Sequence, residues 1–185
     1  MAQTKILVDT NAYLRMAKSI HPLLFTPFGA QEYCLYILPE LNQELGKRKL
    51  QTKFPWIDDP EFVENRQHFP QISREQKKAI PQTFDFVWNT VQTILPGPSR
   101  IDALYVSYSI ELDIPLVTDD QDMSDLAKIY EVEVISTLQL LRWMLDAEHI
   151  GVHQIKSLFE YWKYLSDLPS GFHADRKRFF PSISG

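Results

Sequence analysis

Four acidic residues stand where the chain leaves a strand or enters a helix, and together they could bind a metal ion. Asp9 and Asp120 each follow a short apolar run. Glu44 lies on a helix that comes after another apolar run, and Asp102 lies in the first turn of a later helix. Carboxylate oxygens without histidine or cysteine suit Mg²⁺ or Mn²⁺, so the four residues are candidate ligands of one such ion.

Four carboxylates in one place need something to compensate their charge. At about 5 Å and an effective dielectric near 20, each pair repels by roughly 3 kcal/mol. Such a cluster therefore takes up protons or binds a cation. A bound Mg²⁺ or Mn²⁺ lowers the pKa of a water, orients it and stabilises charge on phosphorus oxygens. This is the chemistry of phosphodiester hydrolysis.

The elements that must position these acids alternate along the chain. Short apolar runs predict strands, and segments with apolar residues at helical spacing predict helices. This alternation predicts an α/β fold, an α/β/α sandwich with a central parallel sheet of four to five strands and extra C-terminal helices. Ligands bind such sheets outside the carboxyl ends of the strands. The strands are expected at 5–8, 33–38, 114–118 and 132–135.

The chain is expected to form one main domain and a C-terminal extension. The main domain covers 1–148 and contains an irregular insertion near 51–73. Residues 149–185 form the helical extension, and the chain from Pro169 onward is expected to be a loosely held end. Pro81 is expected to divide or kink the long helix that contains it.

Composition and charge exclude several classes of protein. The chain has 185 residues, 19 of them basic and 24 acidic, with a formal charge of −5. A single cysteine, Cys34, excludes a disulfide framework and a cysteine-based zinc or iron–sulfur site. The sequence contains no apolar run long enough for a transmembrane helix and no secretory signal, so a cytoplasmic protein without membrane partners is expected.

Four segments resemble the signature segments of PIN-domain nucleases, in the same order and at similar separations. The likeness covers roughly residues 4–138. Each segment alone is a weak signal, whereas all four in this order are fairly specific. The segments are ILVDTN at 6–11, ILPELNQEL at 37–45, SRIDAL at 99–104 and LVTDDQDM at 116–123.

The resemblance implies roles for individual residues. Asp9, Glu44, Asp102 and Asp120 would be the catalytic acids that hold Mg²⁺ or Mn²⁺, and Asp122 would be an auxiliary metal-binding acid. Thr10, Asn11 and Thr118 would orient ligands or water.

A second acid competes for one of these roles. Glu40 lies four residues before Glu44, and either could supply the second carboxylate. We favour Glu44 because it comes five residues after Pro39, on the predicted helix.

The resemblance also implies a function and partners. A metal-dependent endoribonuclease that hydrolyses single-stranded RNA is expected, with Arg15 and Lys18 as candidate nucleic-acid contacts. Many family members are toxins of the VapC kind, paired with an antitoxin and often dimeric, so an antitoxin and a second copy are candidate partners. The longer chain sets this protein apart from the compact toxins. The alternative is a catalytically idle module of the same fold that binds RNA or a protein.

Each acid also has a simpler interpretation. Asp9 could be only a helix N-cap, and Asp102 only part of a capping box with Ser99. Glu44 could be a solvent-exposed acid that pairs with Arg48. Asp120 could be an acid in the first turn of a helix.

Two further patterns have open interpretations. His149 and His153 are four residues apart and could bind a metal, although Gly151 between them favours a helix break. The last two predicted helices have strongly apolar faces, which could cover the sheet or the first helix, or form a dimer or partner surface.

Overall fold

A computed structural model describes residues 3–183 and contains a parallel sheet covered by helices on both faces. The strand order is β2-β1-β3-β4, and all neighbouring strands are parallel. This confirms the α/β/α sandwich predicted from the alternating pattern. The strands are β1 (Thr4–Val8), β2 (Tyr33–Tyr36), β3 (Leu116–Val117) and β4 (Val134–Ile135).

The helices form the two outer layers and the connections between strands. Listed in chain order, they are α1 (Thr10–Met16), α2 (Leu41–Leu45), α3 (Arg48–Lys53), α4 (Pro60–Asn65), α5 (Arg74–Thr93), α6 (Arg100–Leu112), α7 (Gln121–Ile129), α8 (Thr137–Asp146), α9 (Val152–Tyr164) and α10 (Phe172–Phe179). A 3₁₀ turn, Pro55–Asp58, lies between α3 and α4.

Alternate residues of β1 face opposite layers of the molecule, as expected for a strand buried on both sides. Ile6 and Val8 pack in the hydrophobic cluster formed with α1, α8, α9 and α10. Leu7 packs in the other cluster, against α5, α6 and α7. All three side chains are fully buried. The central strand therefore anchors both layers.

The pairing register brings the ends of β1 and β3 to one edge of the sheet. Val8 pairs with Val117, and the Asp9 amide donates to the Val117 carbonyl at 3.0 Å. Because the two strands are parallel and adjacent, the residues that follow them leave the sheet side by side. This places Asp9 and Thr118 next to each other.

The segment 51–73 was predicted to be irregular, and the structure corrects this. It holds the end of α3, the 3₁₀ turn and α4, and only its last part, from about residue 66, is irregular. Four of its apolar side chains are buried in the core, which explains the order. These are Phe54, Trp56, Ile57 and Phe62.

A buried arginine fastens this segment to the rest of the molecule. Arg66 is 4% exposed and makes no ion pair with a described carboxylate. Its guanidinium donates to the Ile57 carbonyl at 2.6 Å, to the Tyr13 hydroxyl at 3.4 Å and to Asn42 Oδ1 at 3.4 Å. These bonds connect α4 to α1 and α2, the helix that carries Glu44.

The expectation of a loosely held end beyond Pro169 is wrong. The residues after Gly171 form α10, and the side chains of Phe172, Phe180 and Ile183 are buried. They pack in the same cluster as Ile6 of the central strand. Burial of these three apolar side chains outweighs the exposed basic residues of the helix.

Pro81 lies inside α5 and does not divide it, which corrects the first of the two expected effects. The helix runs without interruption from Arg74 to Thr93. A capping box, in which Ser73 and Gln76 exchange side chain-to-backbone bonds, begins the helix. Its packing against α6 offsets the hydrogen bond that the proline cannot make.

The outer edge of β2 is covered by the chain that precedes it. The Phe25 amide donates to the Leu35 carbonyl at 3.0 Å. Phe28 and Tyr33 exchange two backbone hydrogen bonds of 2.9 Å as an antiparallel bridge. Three of the outward-facing backbone groups of this edge strand are therefore already paired.

Across residues 3–183, the structure contains no helix whose length and apolar character would let it cross a membrane.

Candidate active site

The four predicted acids line one small cavity at the carboxyl edge of the sheet. We call this the acidic cavity; it has a volume of about 100 Å³ and is lined by Asp9, Thr10, Asn11, Glu44, Leu50, Ile101, Asp102, Tyr105, Asp120 and Met123. The four acids come from four separate elements of the chain. None of the described lining residues is basic. The cavity therefore concentrates negative charge.

Asp9 lies at the floor of the cavity and is 2% exposed. Its Oδ1 accepts a hydrogen bond from the Ala12 amide at 2.6 Å, and its Oδ2 accepts one from the Thr118 hydroxyl at 2.5 Å. Burial raises the pKa of Asp9 from 3.8 to about 7, although both hydrogen bonds lower it. Asp9 thus caps α1 and also faces the cavity.

Glu44 reaches the cavity from the first turn of α2. The Thr10 hydroxyl donates a short hydrogen bond to Glu44 Oε2. Its other oxygen lies 3.8 Å from Lys47 Nζ, so the basic neighbour is Lys47 and not Arg48. Glu40 does not line the cavity, and the geometry therefore favours Glu44 as the second acid.

Asp102 combines a helix cap with a place in the cavity. Its Oδ2 accepts a hydrogen bond from the Ser99 amide at 2.6 Å, and its amide donates to the Ser99 hydroxyl at 3.2 Å. Burial raises the pKa of Asp102, the capping bonds lower it, and the carboxylates of Asp120 and Glu44 raise it further. The predicted capping box is present, and it holds the carboxylate beside two other acids.

Asp120 lies at the exposed rim of the cavity and caps α7. Its side chain accepts a hydrogen bond from the Met123 amide at 2.8 Å. Its own amide donates to the Thr118 hydroxyl at 3.1 Å. Thr118 therefore links Asp120 to Asp9 and positions these two acids, whereas the role predicted for it was to orient ligands or water.

Asp122, the predicted auxiliary acid, is not brought into the cavity. Its side chain is exposed on the first turn of α7 and lies against Gly97, in the loop before α6. Thr10 and Asn11 do line the cavity, and Thr10 bonds to Glu44.

The predicted nucleic-acid contacts lie outside the cavity. The Arg15 guanidinium pairs with Asp119 at 3.3 Å and with Asp167 at 3.1 Å, and its side chain is only 13% exposed. Lys18 is exposed, with its ammonium 5.1 Å from the centre of the Tyr161 ring. Because Arg15 is already occupied by two carboxylates, the structure does not support it as a phosphate contact.

Arg15 instead belongs to a network of ion pairs outside the cavity lining. Asp119 accepts hydrogen bonds from the Thr137 amide at 2.9 Å and from the Thr137 hydroxyl, at the start of α8. Asp167 also pairs with Lys53 at 3.0 Å. This network fixes Asp119, and thus the backbone beside Asp120.

Tyr105 is a cavity residue that the sequence interpretation missed. It follows Asp102 by three residues on α6, so both side chains lie on the same face of the helix. The spacing was visible, but an apolar aromatic residue at helical spacing is typical of a core position.

The donor chemistry of the cavity fits a hard divalent cation, but the oxygens do not yet converge. Within residues 3–183, no group of three or more acidic, histidine or cysteine side chains is arranged to hold a metal ion. Each of the four carboxylates accepts a hydrogen bond from a nearby donor. For three of them, the donor is a backbone amide at the start of a helix. Cation binding would therefore require small side-chain rotations. Asp9, Asp102 and Asp120 are the three held in this way.

The helix break that we favoured between His149 and His153 is present, because α9 begins only after its N-cap residue Gly151. His149 precedes the start of α9 at Gly151, and its ring stacks on Phe28 at 5.2 Å.

The apolar faces of the last helices cover the first helix and the core, as one of the two interpretations proposed. Ile155, Phe159 and Trp162 are buried, and the Trp162 indole donates to the Arg15 carbonyl at 2.8 Å.

Comparisons with models of protein families, with curated proteins and with solved structures found no match for this chain.

Proposed function

We propose that the protein is a Mg²⁺- or Mn²⁺-dependent endoribonuclease that hydrolyses phosphodiester bonds of single-stranded RNA in the cytoplasm. One observation carries this proposal: Asp9, Glu44, Asp102 and Asp120, distant in sequence, line one cavity whose described lining contains no basic residue. The resemblance of the four segments to PIN-domain nucleases supports the same assignment and supplies the substrate class.

In such a site, the acidic residues and the threonines would have different roles. Asp9, Glu44, Asp102 and Asp120 would hold the cation, which supplies water activation and charge stabilisation at phosphorus. Thr118 fixes the Asp9 carboxylate, and Thr10 fixes that of Glu44. Fixed carboxylates lose less entropy when a ligand binds.

A thermal melt with Mn²⁺ tests the metal site directly. A ligand that binds only the native state at about 100 times its Kd stabilises it by about 2.7 kcal/mol. For a chain of this size, Tm should rise by about 5–10 °C. Asp9→Asn should abolish the rise, whereas Asp125→Asn, which changes an exposed acid on α7, should retain it. An unchanged Tm of the wild type at millimolar Mn²⁺ would rule out a tight site.

Cleavage of a labelled single-stranded RNA tests the activity. The wild type should cut with Mn²⁺ and should not cut in EDTA, and Asp9→Asn should lose at least about a hundredfold in rate. The Asp125→Asn protein controls for contaminating ribonuclease, because it passes through the same purification. Equal cutting by wild type and Asp9→Asn would refute the assignment.

A catalytically idle module that binds RNA or a protein partner is the second candidate. The lack of a converged ligand set among the described residues favours it. RNA binding without cleavage and without an effect of Mn²⁺ on Tm would support this alternative.

A toxin paired with an antitoxin is a narrower form of the first proposal. Expression of the wild type would then arrest growth of the host, and Asp9→Asn would relieve the arrest. Co-expression of a small protein encoded beside the gene would relieve it too and would yield a complex on gel filtration.

A further inference from the structure

Tyr105 is placed at the floor of the acidic cavity. It lies on α6 one turn beyond Asp102, its side chain is fully buried, and it lines the cavity together with Asp9. Asp120, by contrast, is exposed at the rim. Tyr105 therefore meets whatever enters the deepest part of the site.

The Tyr105 hydroxyl has no hydrogen-bond partner among the described residues. Thr10 and the Leu38 backbone lie near enough to lower the pKa of the phenol, but neither is in hydrogen-bond geometry with its hydroxyl. A buried hydroxyl without a partner destabilises the fold, so native proteins seldom keep one without a reason.

The groups around the Tyr105 hydroxyl determine whether it can donate a hydrogen bond to a ligand. The hydroxyls of Thr10 and Thr118 already donate to carboxylates, whereas the Tyr105 hydroxyl makes no hydrogen bond to a described residue in this structure. Burial, with the nearby carboxylates of Asp9 and Glu44, raises the pKa of Tyr105, so the phenol stays protonated. It can therefore donate to an oxygen that enters the cavity.

We propose that the Tyr105 hydroxyl donates a hydrogen bond to a water molecule at the floor of the acidic cavity and orients this water for attack on phosphorus. This inference rests on the proposed hydrolysis. The water gives its oxygen to phosphorus and a proton to a cavity carboxylate. The P–O bond to the leaving ester oxygen breaks, that oxygen takes up a proton from solvent water, and the phenol keeps its own.

The size of the cavity selects water as the acceptor. A volume of about 100 Å³ is space for about three waters at roughly 30 Å³ each. A nucleotide does not fit inside it, so the phosphate must approach from the rim, on the side of Asp120. The hydroxyl of a floor residue then faces the attacking water and not the RNA backbone.

Tyr105→Phe removes only this hydroxyl and is the direct test. In EDTA, its Tm should equal or exceed that of the wild type, because a buried unpartnered group is lost. The Mn²⁺ concentration that gives half of the Tm rise should stay within about twofold. On single-stranded RNA, kcat should fall by about tenfold or more while KM stays within about twofold, as expected when one donor to the reacting water is lost.

Tyr108→Phe is the matched control, since it makes the same change one turn further along α6 and outside the cavity lining. Its cleavage rate should equal that of the wild type. The water proton relaxation rate of the Mn²⁺ complex gives a readout that does not depend on turnover. It should differ between Tyr105→Phe and the wild type and should not differ for Tyr108→Phe.

The outcomes separate this inference from the proposed function. If the wild type cuts RNA and Tyr105→Phe cuts it equally well, the role of Tyr105 is overturned while the nuclease assignment stands. If the Tm of Tyr105→Phe in EDTA falls together with its activity, the residue is structural and the role is again overturned. If the wild type neither binds Mn²⁺ nor cuts RNA, the proposed function fails first and the inference fails with it.

Discussion

At the residue scale, two threonine hydroxyls determine how the acidic cavity holds its charge. Thr118 donates to Asp9, and Thr10 donates to Glu44. Donors of this kind favour the ionised carboxylate, yet burial still raises the pKa of Asp9 to about 7. Near neutral pH, Asp9 is therefore close to the midpoint between its protonated and ionised forms.

The two candidate acids on either side of the start of α2 make a matched pair for mutation. Glu44→Gln should lower the RNA cleavage rate by about a hundredfold, because it removes one cavity carboxylate. Glu40→Gln makes the same change outside the cavity lining and should leave the rate within about threefold. Single-turnover cleavage with Mn²⁺ measures both variants. The reverse order of effects would assign the second acid to Glu40.

The raised pKa of Asp9 predicts how stability depends on pH in metal-free protein. The folded protein holds a proton on Asp9 up to about pH 7, whereas the unfolded chain releases it near its ordinary pKa of 3.8. The free energy of unfolding should therefore fall as pH rises from about 4 to about 7, by on the order of a few kcal/mol, and level off above.

Urea unfolding in EDTA at several pH values across this range measures the effect. Burial raises the pKa of Asp102 and of Asp119 too, so both act in the same direction. Asp9→Asn cannot titrate at this position, and its stability should fall less steeply. A free energy of unfolding that climbs through the same range would contradict the burial of a protonated Asp9.

The sequence was sufficient to find the four acids but not the tyrosine between them. Asp9 and Asp120 follow apolar runs, and parallel pairing must bring the ends of such runs together. Tyr105 carries no comparable signal, because its hydroxyl matters only through the neighbours that leave it without a partner. Its role depends on packing that no spacing rule describes.

At the element scale, the starts of three helices position acids of the cavity. Asp9, Asp102 and Asp120 each accept a hydrogen bond from a backbone amide at the beginning of a helix. The simpler interpretations of Asp9 as an N-cap and of Asp102 as part of a capping box are therefore confirmed. Asp120 is an N-cap and not a first-turn acid, and all three residues also line the acidic cavity. A cap holds the carboxylate rigidly, and the helix that it begins fixes its place at the sheet edge.

Mutation of two serine caps distinguishes the effect of a cap on stability from its effect on the cavity. Ser99→Ala at the start of α6 and Ser73→Ala at the start of α5 should each lower the free energy of unfolding by about 1 kcal/mol. Only the Ser99 hydroxyl bonds to a cavity residue, because it accepts from the Asp102 amide, so only Ser99→Ala should change the Mn²⁺ midpoint in the thermal melt. The same midpoint in both variants would show that the cap does not position the acid.

The segment 51–66 shows why short elements escape sequence interpretation. Pro55, Pro60 and the pair Asp58-Asp59 predicted an irregular connection. The apolar residues between them are too few in each short helix to display a helical period, which needs a window of about 11 residues. Their burial, and the bonds of Arg66 to three other elements, order the segment.

At the scale of the whole molecule, one hydrophobic cluster joins residues from both ends of the described chain. Ile6 of β1 and Phe180 after α10 belong to the same cluster. The packing of α10 was not predicted from the sequence, because the basic run Arg176–Arg178 makes this segment look exposed. The last helix is therefore part of the fold that supports the sheet.

Removal of one buried aromatic side chain of α10 tests whether this helix contributes to the stability of the fold. Phe172 is 3% exposed and packs edge-to-face against Phe159 of α9 at 5.1 Å. Phe172→Ala should lower the free energy of unfolding by about 3–5 kcal/mol. Phe179→Ala, a half-buried position of the same helix, should cost clearly less. Urea denaturation compares the two, and equal losses would argue against a tightly docked α10.

The covered flank of β2 has a consequence for self-association. Sheets with bare margins invite strands from other molecules, which leads to fibrils or exchanged segments. Here Phe25 and Phe28 already occupy backbone groups at one margin, and the opposite margin, β4, spans only Val134–Ile135. The sheet therefore offers little unpaired strand backbone to a second copy of this protein, and concentrated solutions should resist conversion into amyloid.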